Sequence, residues 1–360
     1  MIKPENFVGR LAQNGVDFFC GVPDSLLKDF CAFLTSRCGE RHVIAASEGG
    51  AVALAAGRYL ATGRMGCVYM QNSGQGNAVN PLCSLADPDV YSVPMVLLVG
   101  WRGEPGVHDE PQHVKQGKVT ITLFETLGIP TETIPEDEFV ALDVVTRQVQ
   151  RARSESRPVA LIVRKGLFEG FPMDPAAVQP HPHGLSDLGR EAAIERILDE
   201  LPPEAVVVST TGMISRELYE ARLRRGEGHE RDFLTVGSMG HASMIALGIA
   251  SSQPQRPVCC LDGDGAALMQ LGNLAIVGQS RCANLTHIVL NNAAHDSVGG
   301  QPTVGGEVDL VKIAEACGYN AEGAPAFREV RVRKGARTDL GRPKEKPQEN
   351  KLLFMKTLGV

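Results

Sequence analysis

The sequence predicts an α/β protein made of two doubly wound parallel-sheet domains, and three observations predict it. Short, β-branched apolar runs recur along the chain in two series, each run apolar on successive residues rather than alternate ones. Strands buried on both faces read that way. Helical patterns lie between the runs, and such alternation implies parallel sheets covered by helices. A Pro- and Gly-rich stretch, GLFEGFPMDPAAVQPHPHGLSDLG (166–189), divides the two series and reads as a linker.

The first series comprises VDFFC (16–20), HVIAA (42–46), CVYM (67–70), MVLLVG (95–100) and VALIVR (159–164). The second comprises AVVVST (205–210), FLTV (233–236), VCCL (258–261), HIVL (287–290) and EVRVR (329–333). Among the helical patterns are GAVALAAGRYLATG after Glu48 and SRELYEARLRR after Gly212. The expected organisation is a first domain over 1–170, a linker over 171–189 and a second domain over 190–360. The halves are alike in pattern only, with no residue-level repeat. Ligands of doubly wound sheets bind beyond the carboxyl ends of the strands, so polar residues there are the first candidates for function.

Composition narrows the class. The 360 residues are 43% hydrophobic and 22% charged, with a formal net charge of −6. That balance fits a globular protein with substantial cores and argues against non-specific nucleic-acid or membrane binding. No apolar run approaches the roughly 18 residues of a membrane span. The start of the sequence, MIKPENFVGRLAQNG, reads as an amphipathic helix rather than a signal region. Nine scattered cysteines form no Cys-x-x-Cys pair. They read as small buried apolar side chains in a reducing cytoplasm, and a metal–thiolate site is not expected.

Two polar clusters in the second half stand out. Gly263, Asp264 and Gly265 close one apolar strand, and Asn291 and Asn292 close the next, with 25 residues from Ala266 to Leu290 between them. Glycines permit close backbone approach to a ligand, and the helix that follows offers amides to a phosphate. Asp264 alone would be a helix cap. With the amides it forms an oxygen set suited to Mg²⁺, which wants about six oxygen ligands and keeps phosphate oxygens among them. A dinucleotide fingerprint fails, because its third glycine would fall on Leu268. A Gly-Lys-Ser/Thr phosphate loop is absent from the sequence.

This spacing resembles the motif of the thiamine diphosphate enzymes. The resemblance implies the two-domain thiamine diphosphate-binding fold, with thiamine diphosphate and Mg²⁺ as cofactors. It implies Asp264, Asn292 and the backbone carbonyl of Ala294 as metal ligands, with Gly263, Gly265 and Ala266 against the cofactor and Asn291 structural. Such an enzyme also needs a carboxylate on the aminopyrimidine ring. ASEGGAVALAAG resembles that segment, which makes Glu48 the catalytic acid; otherwise it is a first-turn acid complementing a helix dipole. A buried carboxyl, its pKa raised, would exchange a proton with the ring, and the cofactor would act as electron sink for a 2-oxo acid losing CO₂. Thr211 and Gly212 in STTGMISREL, and Ser238, Gly240 and His241 in VGSMGHASMIALG, would contact the diphosphate. Met239 would bend the cofactor, or is an ordinary core methionine. Asn72, Gln75 and Asn77 in MQNSGQGNAVN would line the pyrimidine or substrate side.

Length and local matches take the resemblance further. The chain has no room for a middle domain, and it resembles the phosphonopyruvate decarboxylase family over essentially its full length. GVPDSLLKDF (21–30), HDEPQHVKQGKVT (108–120), TTGMISREL, NNAAHDSVGGQPT (291–303) and KGARTDLGRPKEKP (334–347) carry the likeness. The reaction implied is decarboxylation of 3-phosphonopyruvate to phosphonoacetaldehyde and CO₂, through an ylid and an enamine, in phosphonate biosynthesis. Sulfopyruvate decarboxylase, or another 2-oxo acid decarboxylase, is the alternative, and a non-catalytic cofactor-binding subunit the rival from another class.

A dianionic substrate calls for cations and donors. Ser25, Arg102, His108, His113, Lys115, His295, Arg337 and Arg342 are the candidates, His295 also for relaying a proton. Surface ion pairing with Asp109 and Glu110 in a long polar loop is the alternative for His113 and Lys115. A solvated basic segment is the alternative for Arg337 and Arg342. Asp296 would orient His295 or cap the following turn. The resemblance also implies an active site shared between subunits, hence a dimer or a higher assembly.

Overall fold

Period-two alternation along the strands sorts the side chains onto the two faces of each sheet. The computed structural model describes residues 1–174 and 186–360, and the chain divides into two units, Met1–Gln179 and Pro180–Val360. In unit 1 six strands form the sheet: β1 (Phe18–Gly21), β2 (His42–Ile44), β3 (Gly66–Gln71), β4 (Val96–Gly100), β5 (Thr131–Thr133) and β6 (Val159–Val163). Phe19, Tyr69, Leu98 and Leu161 point into one core, while Cys20, Met70, Leu97 and Ile162 point into the other. Successive residues of a strand face opposite ways, so runs apolar at every position build two cores at once.

Unit 2 repeats the plan with β7 (Val206–Ser209), β8 (Asp232–Leu234), β9 (Val258–Gly263) and β10 (Leu285–Asn291). A short antiparallel hairpin of β11 (Ala294–His295) and β12 (Gln301–Pro302) follows, and β13 (Ala326–Arg331) completes the sheet. Val208, Cys260 and Val289 face one core of this unit; Val207, Cys259 and Leu290 face the other.

Both main sheets are wholly parallel, in the orders β2-β1-β3-β4-β6-β5 and β13-β10-β9-β7-β8. The winding reverses between β1 and β3 in unit 1 and between β7 and β9 in unit 2. Loops leaving two neighbouring strands diverge at such a point and open a crevice for ligand.

All ten strands expected from the apolar runs are present. Several features were not foreseen, among them the following two. Strand β5 is the polar, half-buried triplet Thr131–Thr133 at the sheet edge, which carries no apolar signal. The segment between β9 and β10 is two short helices, Asp264–Met269 and Gly272–Gly278, separated where Gln270 adopts φ −126°, ψ 49°. The linker expected over 171–189 falls mostly on 175–185, outside the described residues. Its described ends are held by their own units, Phe171 N–H donating to Asp29 (3.1 Å) and the Leu188 carbonyl accepting from Arg333 N–H (2.9 Å). Among the described residues, no helix is long and apolar enough to cross a membrane. The nine cysteines are free thiols, six of them buried.

Candidate active site

In unit 1 the polar residues gather beyond the carboxyl ends of β1, β2, β3 and β4. Glu48 opens the helix Glu48–Thr62, whose cap is the Ser47 hydroxyl accepting from Gly50 N–H (3.3 Å). Only 4% of Glu48 is exposed, and Asn77 Nδ2 donates to its Oε2 (2.8 Å). The glycines around it have a steric reason. A Cβ on Gly49 would lie 2.8 Å from the Asn77 carbonyl, and one on Gly74 would overlap Glu48 Oε1 itself. Burial raises the Glu48 pKa, with the Asn77 hydrogen bond opposing it. Burial of this kind disfavours the ionised form of the carboxyl.

Asn72 is placed differently from expectation. Its buried side chain donates to the Arg102 carbonyl (2.7 Å) and the Thr120 hydroxyl (2.8 Å) and accepts from Arg102 N–H (3.2 Å). It braces the loop after β4 rather than facing outward. Gln75 is also buried and donates to the Thr120 carbonyl (3.0 Å).

Arg102 is the centre of the remaining unit 1 cluster. Its guanidinium grips Asp109 through two bonds (2.7 and 2.5 Å) and donates to Ser25 Oγ (2.8 Å). Asp109 is therefore the partner of Arg102, not of His113 or Lys115. Those two residues lie on the helix Pro111–Thr126 and not in a polar loop, His113 buried and Lys115 exposed. His108 is exposed. Burial and the nearby Arg102 lower the His113 pKa to about 4, so the ring is neutral at pH 7. Among the described residues its buried Nδ1 has no hydrogen-bond partner. Asp24, which the sequence reading missed, is fully buried beside this group, its Oδ1 without a hydrogen-bond partner among the described residues; burial lifts its pKa to about 6.

In unit 2 the two clusters that flank the helices do meet. The Asp264 carboxylate accepts from the backbone amides of Gly265 and Asn292 and from the Thr303 hydroxyl. Thr303 was not among the expected residues; its contact depends on the β11–β12 hairpin, whose strands are too short to leave a pattern. Asn291 is structural, its Nδ2 donating to the Gly305 carbonyl (2.6 Å) and Glu329 (2.6 Å) and its Oδ1 accepting from Ala293 N–H (2.9 Å). Ala293 has φ +53°, a turn that brings Asn292 and the buried Ala294 back towards the β9 end.

The diphosphate candidates line the same rim. Thr211 Oγ1 accepts from Gly237 N–H (3.0 Å), tying the loop after β7 to the loop after β8. Gly212 adopts φ +98° at the start of the helix Met213–Arg224, a conformation that favours glycine. Ser238 has φ +48° and is exposed, as is His241, whose Nδ1 faces the carbonyls of Ser238 and Met239. A Cβ on Gly240 would press on the Ala266 carbonyl at 3.0 Å. One on Gly265 would lie 2.7 Å from the His295 ring and 3.5 Å from Met239 Cε. His295 and Met239 thus flank the turn that follows Gly263. Burial lowers the His295 pKa to about 4.

The donor set fits the implied group. Asp264 carboxylate, Asn292 amide carbonyl and Ala294 backbone carbonyl are all hard oxygen ligands, as Mg²⁺ prefers. Burial pushes Asp264 up to about 6, and among the described residues no cationic side chain opposes that shift. A divalent cation would supply the missing countercharge. Gly305 leaves room there, since a Cβ would come within 2.5 Å of Asp264 Oδ2.

The basic tail sits elsewhere than expected for free cations. Arg337 pairs with Glu191, Glu220 and Asp339, and Arg216 donates to the carbonyls of Leu340 and Gly341. These contacts pin the tail across the helix Met213–Arg224. Arg342 is exposed and further along the tail. Met213, Arg216, Asp296, Gly335, Arg337 and Thr338 line a cavity of about 280 Å³. A separate buried group, Cys260, Asp262 and His287, brings three potential metal-ligating atoms within 4.8 Å. It joins neighbouring strands, which no spacing along one segment reveals. His287 is hydrogen-bonded to Tyr319 Oη (3.1 Å) and Asp262 (3.4 Å) there.

Two wholly parallel sheets, each with polar residues beyond its strand ends, define a doubly wound α/β protein with candidate ligand sites on both sheet rims. Comparison with known proteins agrees. "Thiamine pyrophosphate enzyme, N-terminal TPP binding domain" matches residues 4–122, and "Thiamine pyrophosphate enzyme, C-terminal TPP binding domain" matches residues 211–340. A phosphonopyruvate decarboxylase of Streptomyces hygroscopicus is 38% identical over 97% of this chain and 92% of its own length. Another from Streptomyces viridochromogenes is 37% identical over 97% and 93%. A sulfopyruvate decarboxylase of Methanosarcina acetivorans is 29% identical over 88% and 83%. The chain belongs to the thiamine pyrophosphate enzymes, in the phosphonopyruvate decarboxylase family.

Proposed function

We propose that this chain decarboxylates 3-phosphonopyruvate to phosphonoacetaldehyde and CO₂ without oxidation, using thiamine diphosphate and Mg²⁺. The observation that carries the substrate is similarity across nearly the whole chain. The two relatives named for phosphonopyruvate match at 38% and 37% over 97% of it, whereas the sulfopyruvate enzyme matches at 29% over 88%.

Bound thiamine diphosphate supplies the electron sink for the carbanion that departing CO₂ leaves behind. The protein's own groups do the rest. Glu48 exchanges the proton, its ionised form disfavoured by burial and its carboxylate oriented by Asn77. Asp264, Asn292 and the Ala294 carbonyl hold the metal. Thr211, Gly212, Ser238, Gly240 and His241 would receive the diphosphate, and Met239 would pack against the cofactor. His295 is neutral at pH 7 and relays the proton that completes the aldehyde.

For the substrate, Ser25 and His113 are the unit 1 donors, placed around Arg102. Arg337 and Arg342 serve as cations of the tail, Arg337 only by loosening from its carboxylates. The working form is a homo-oligomer, dimeric or larger, in which Glu48 of one copy serves the cofactor held by Asp264 of another. Nine free thiols fit a reducing, cytoplasmic setting.

The test is a paired turnover assay with phosphonopyruvate, sulfopyruvate and pyruvate, following CO₂ and aldehyde together. Strong preference for phosphonopyruvate is expected. Preference for sulfopyruvate would keep the cofactor chemistry and overturn the substrate.

A further inference from the structure

Asp296 Oδ2 is the meeting point of three donors, two of them from distant parts of unit 2. It accepts from Asn292 Nδ2 (2.6 Å), from Arg190 Nη1 (2.9 Å) and from Gly335 N–H (3.0 Å). Arg190 opens the helix Arg190–Glu200 and is 5% exposed. Its other face holds Glu217 through two bonds (2.6 and 2.9 Å), and Glu217 is 2% exposed. The guanidinium is therefore clamped between two carboxylates and has no freedom to swing away.

An asparagine amide has two nearly isosteric orientations, one turning oxygen and the other nitrogen towards a given point. An ionised carboxylate only accepts, so Asp296 selects the orientation that gives it the NH₂ group. The Asn292 oxygen is then directed the other way, where it accepts from Ala294 N–H (3.1 Å). A reversed amide would point N–H at a cation and repel it.

We propose that Arg190 and Asp296 are positioning residues that fix Asn292 with its carbonyl oxygen available to the metal. The inference rests on Asn292 being a metal ligand, as read above. Arg190 acts through Asp296 and touches neither metal nor cofactor. Gly335 N–H on the same oxygen joins the pinned tail to this arrangement, so tail and metal site share one carboxylate.

The experiment measures Mn²⁺ binding by electron paramagnetic resonance, with the full-length protein and saturating thiamine diphosphate. Asp296→Asn is expected to raise the Mn²⁺ dissociation constant by about 10- to 100-fold, the usual cost of removing an outer-shell partner of a metal ligand. Arg190→Lys, which keeps the charge but loses the two-sided clamp, is expected to raise it by a smaller factor. It carries the test if Asp296→Asn does not fold. Asp232→Asn, at the equally buried Arg222–Asp232 pair, controls for loss of a buried ion pair and should lower Tm with unchanged Mn²⁺ affinity. Asn292→Ala separates the two readings. If it weakens Mn²⁺ binding while Asp296→Asn and Arg190→Lys do not, the positioning role is overturned and the metal assignment stands. If Asn292→Ala leaves the affinity unchanged, the assignment falls and the inference with it.

Discussion

Glu48 and Asp24 are both buried carboxyls at the rim of the same sheet, yet they lead to different expectations. Among the described residues Glu48, which lies beyond the end of β2, has one side-chain donor, Asn77. Glu48→Gln should lower kcat by about 10²- to 10⁴-fold, the usual weight of a positioned acid–base group, while Mg²⁺-dependent cofactor binding persists. Stopped-flow turnover with parallel calorimetry checks this; full activity in the variant would remove Glu48 from the chemistry. Asp24 bears on stability. Its folded pKa is about 6 against an ordinary 3.8, so between those values the folded state binds more protons than the unfolded chain. Stability should therefore fall as pH rises through that window and stay lower above it. Asp24→Asn should stabilise the protein by roughly 1–3 kcal/mol at pH 8 and by nothing at pH 3.5, seen in denaturation curves across pH. A pH-independent difference would mean that Asp24 does not titrate there.

At the scale of elements, the turn Asn72–Gly74 is packed so closely against the start of Glu48–Thr62 that a methyl group on Gly74 displaces the Glu48 carboxyl. Gly74→Ala should cost at least about tenfold in kcat, and in a Glu48→Gln background it should cost little more, because both changes act on one group. Additive losses would locate the damage elsewhere. This junction also shows what was legible beforehand. Glu48, Asp264 and Asn292 could be read because each directly follows an apolar strand and the latter two keep a fixed spacing. Partners made by folding left no trace of that kind. Arg190 lies 106 residues from Asp296, Thr303 reaches Asp264 across 39, and β11 and β12 are two residues long. Asn72 could be read as a polar residue after a strand, whereas its partners Arg102 and Thr120, 30 and 48 residues away, could not.

At the scale of the whole molecule, Glu48 belongs to one unit and Asp264 to the other. If subunits share the site, mixing Glu48→Gln with Asp264→Ala protein under conditions of subunit exchange should recover about a quarter of wild-type activity, since half the random dimers hold one intact pair. No recovery would indicate sites completed within single chains. Both sheets keep their candidate site residues on the rim near which winding reverses, and their cores hold the hydrophobic strands. The scaffold and the chemistry are thus separable under mutation. Drift in the sheet interiors would change durability, whereas exchange of a single rim loop, such as the one carrying Arg102 and Asp109, would be expected to change what is recognised. A lineage could move between one acidic substrate and another by rewriting a few loops, with no need to invent a new protein.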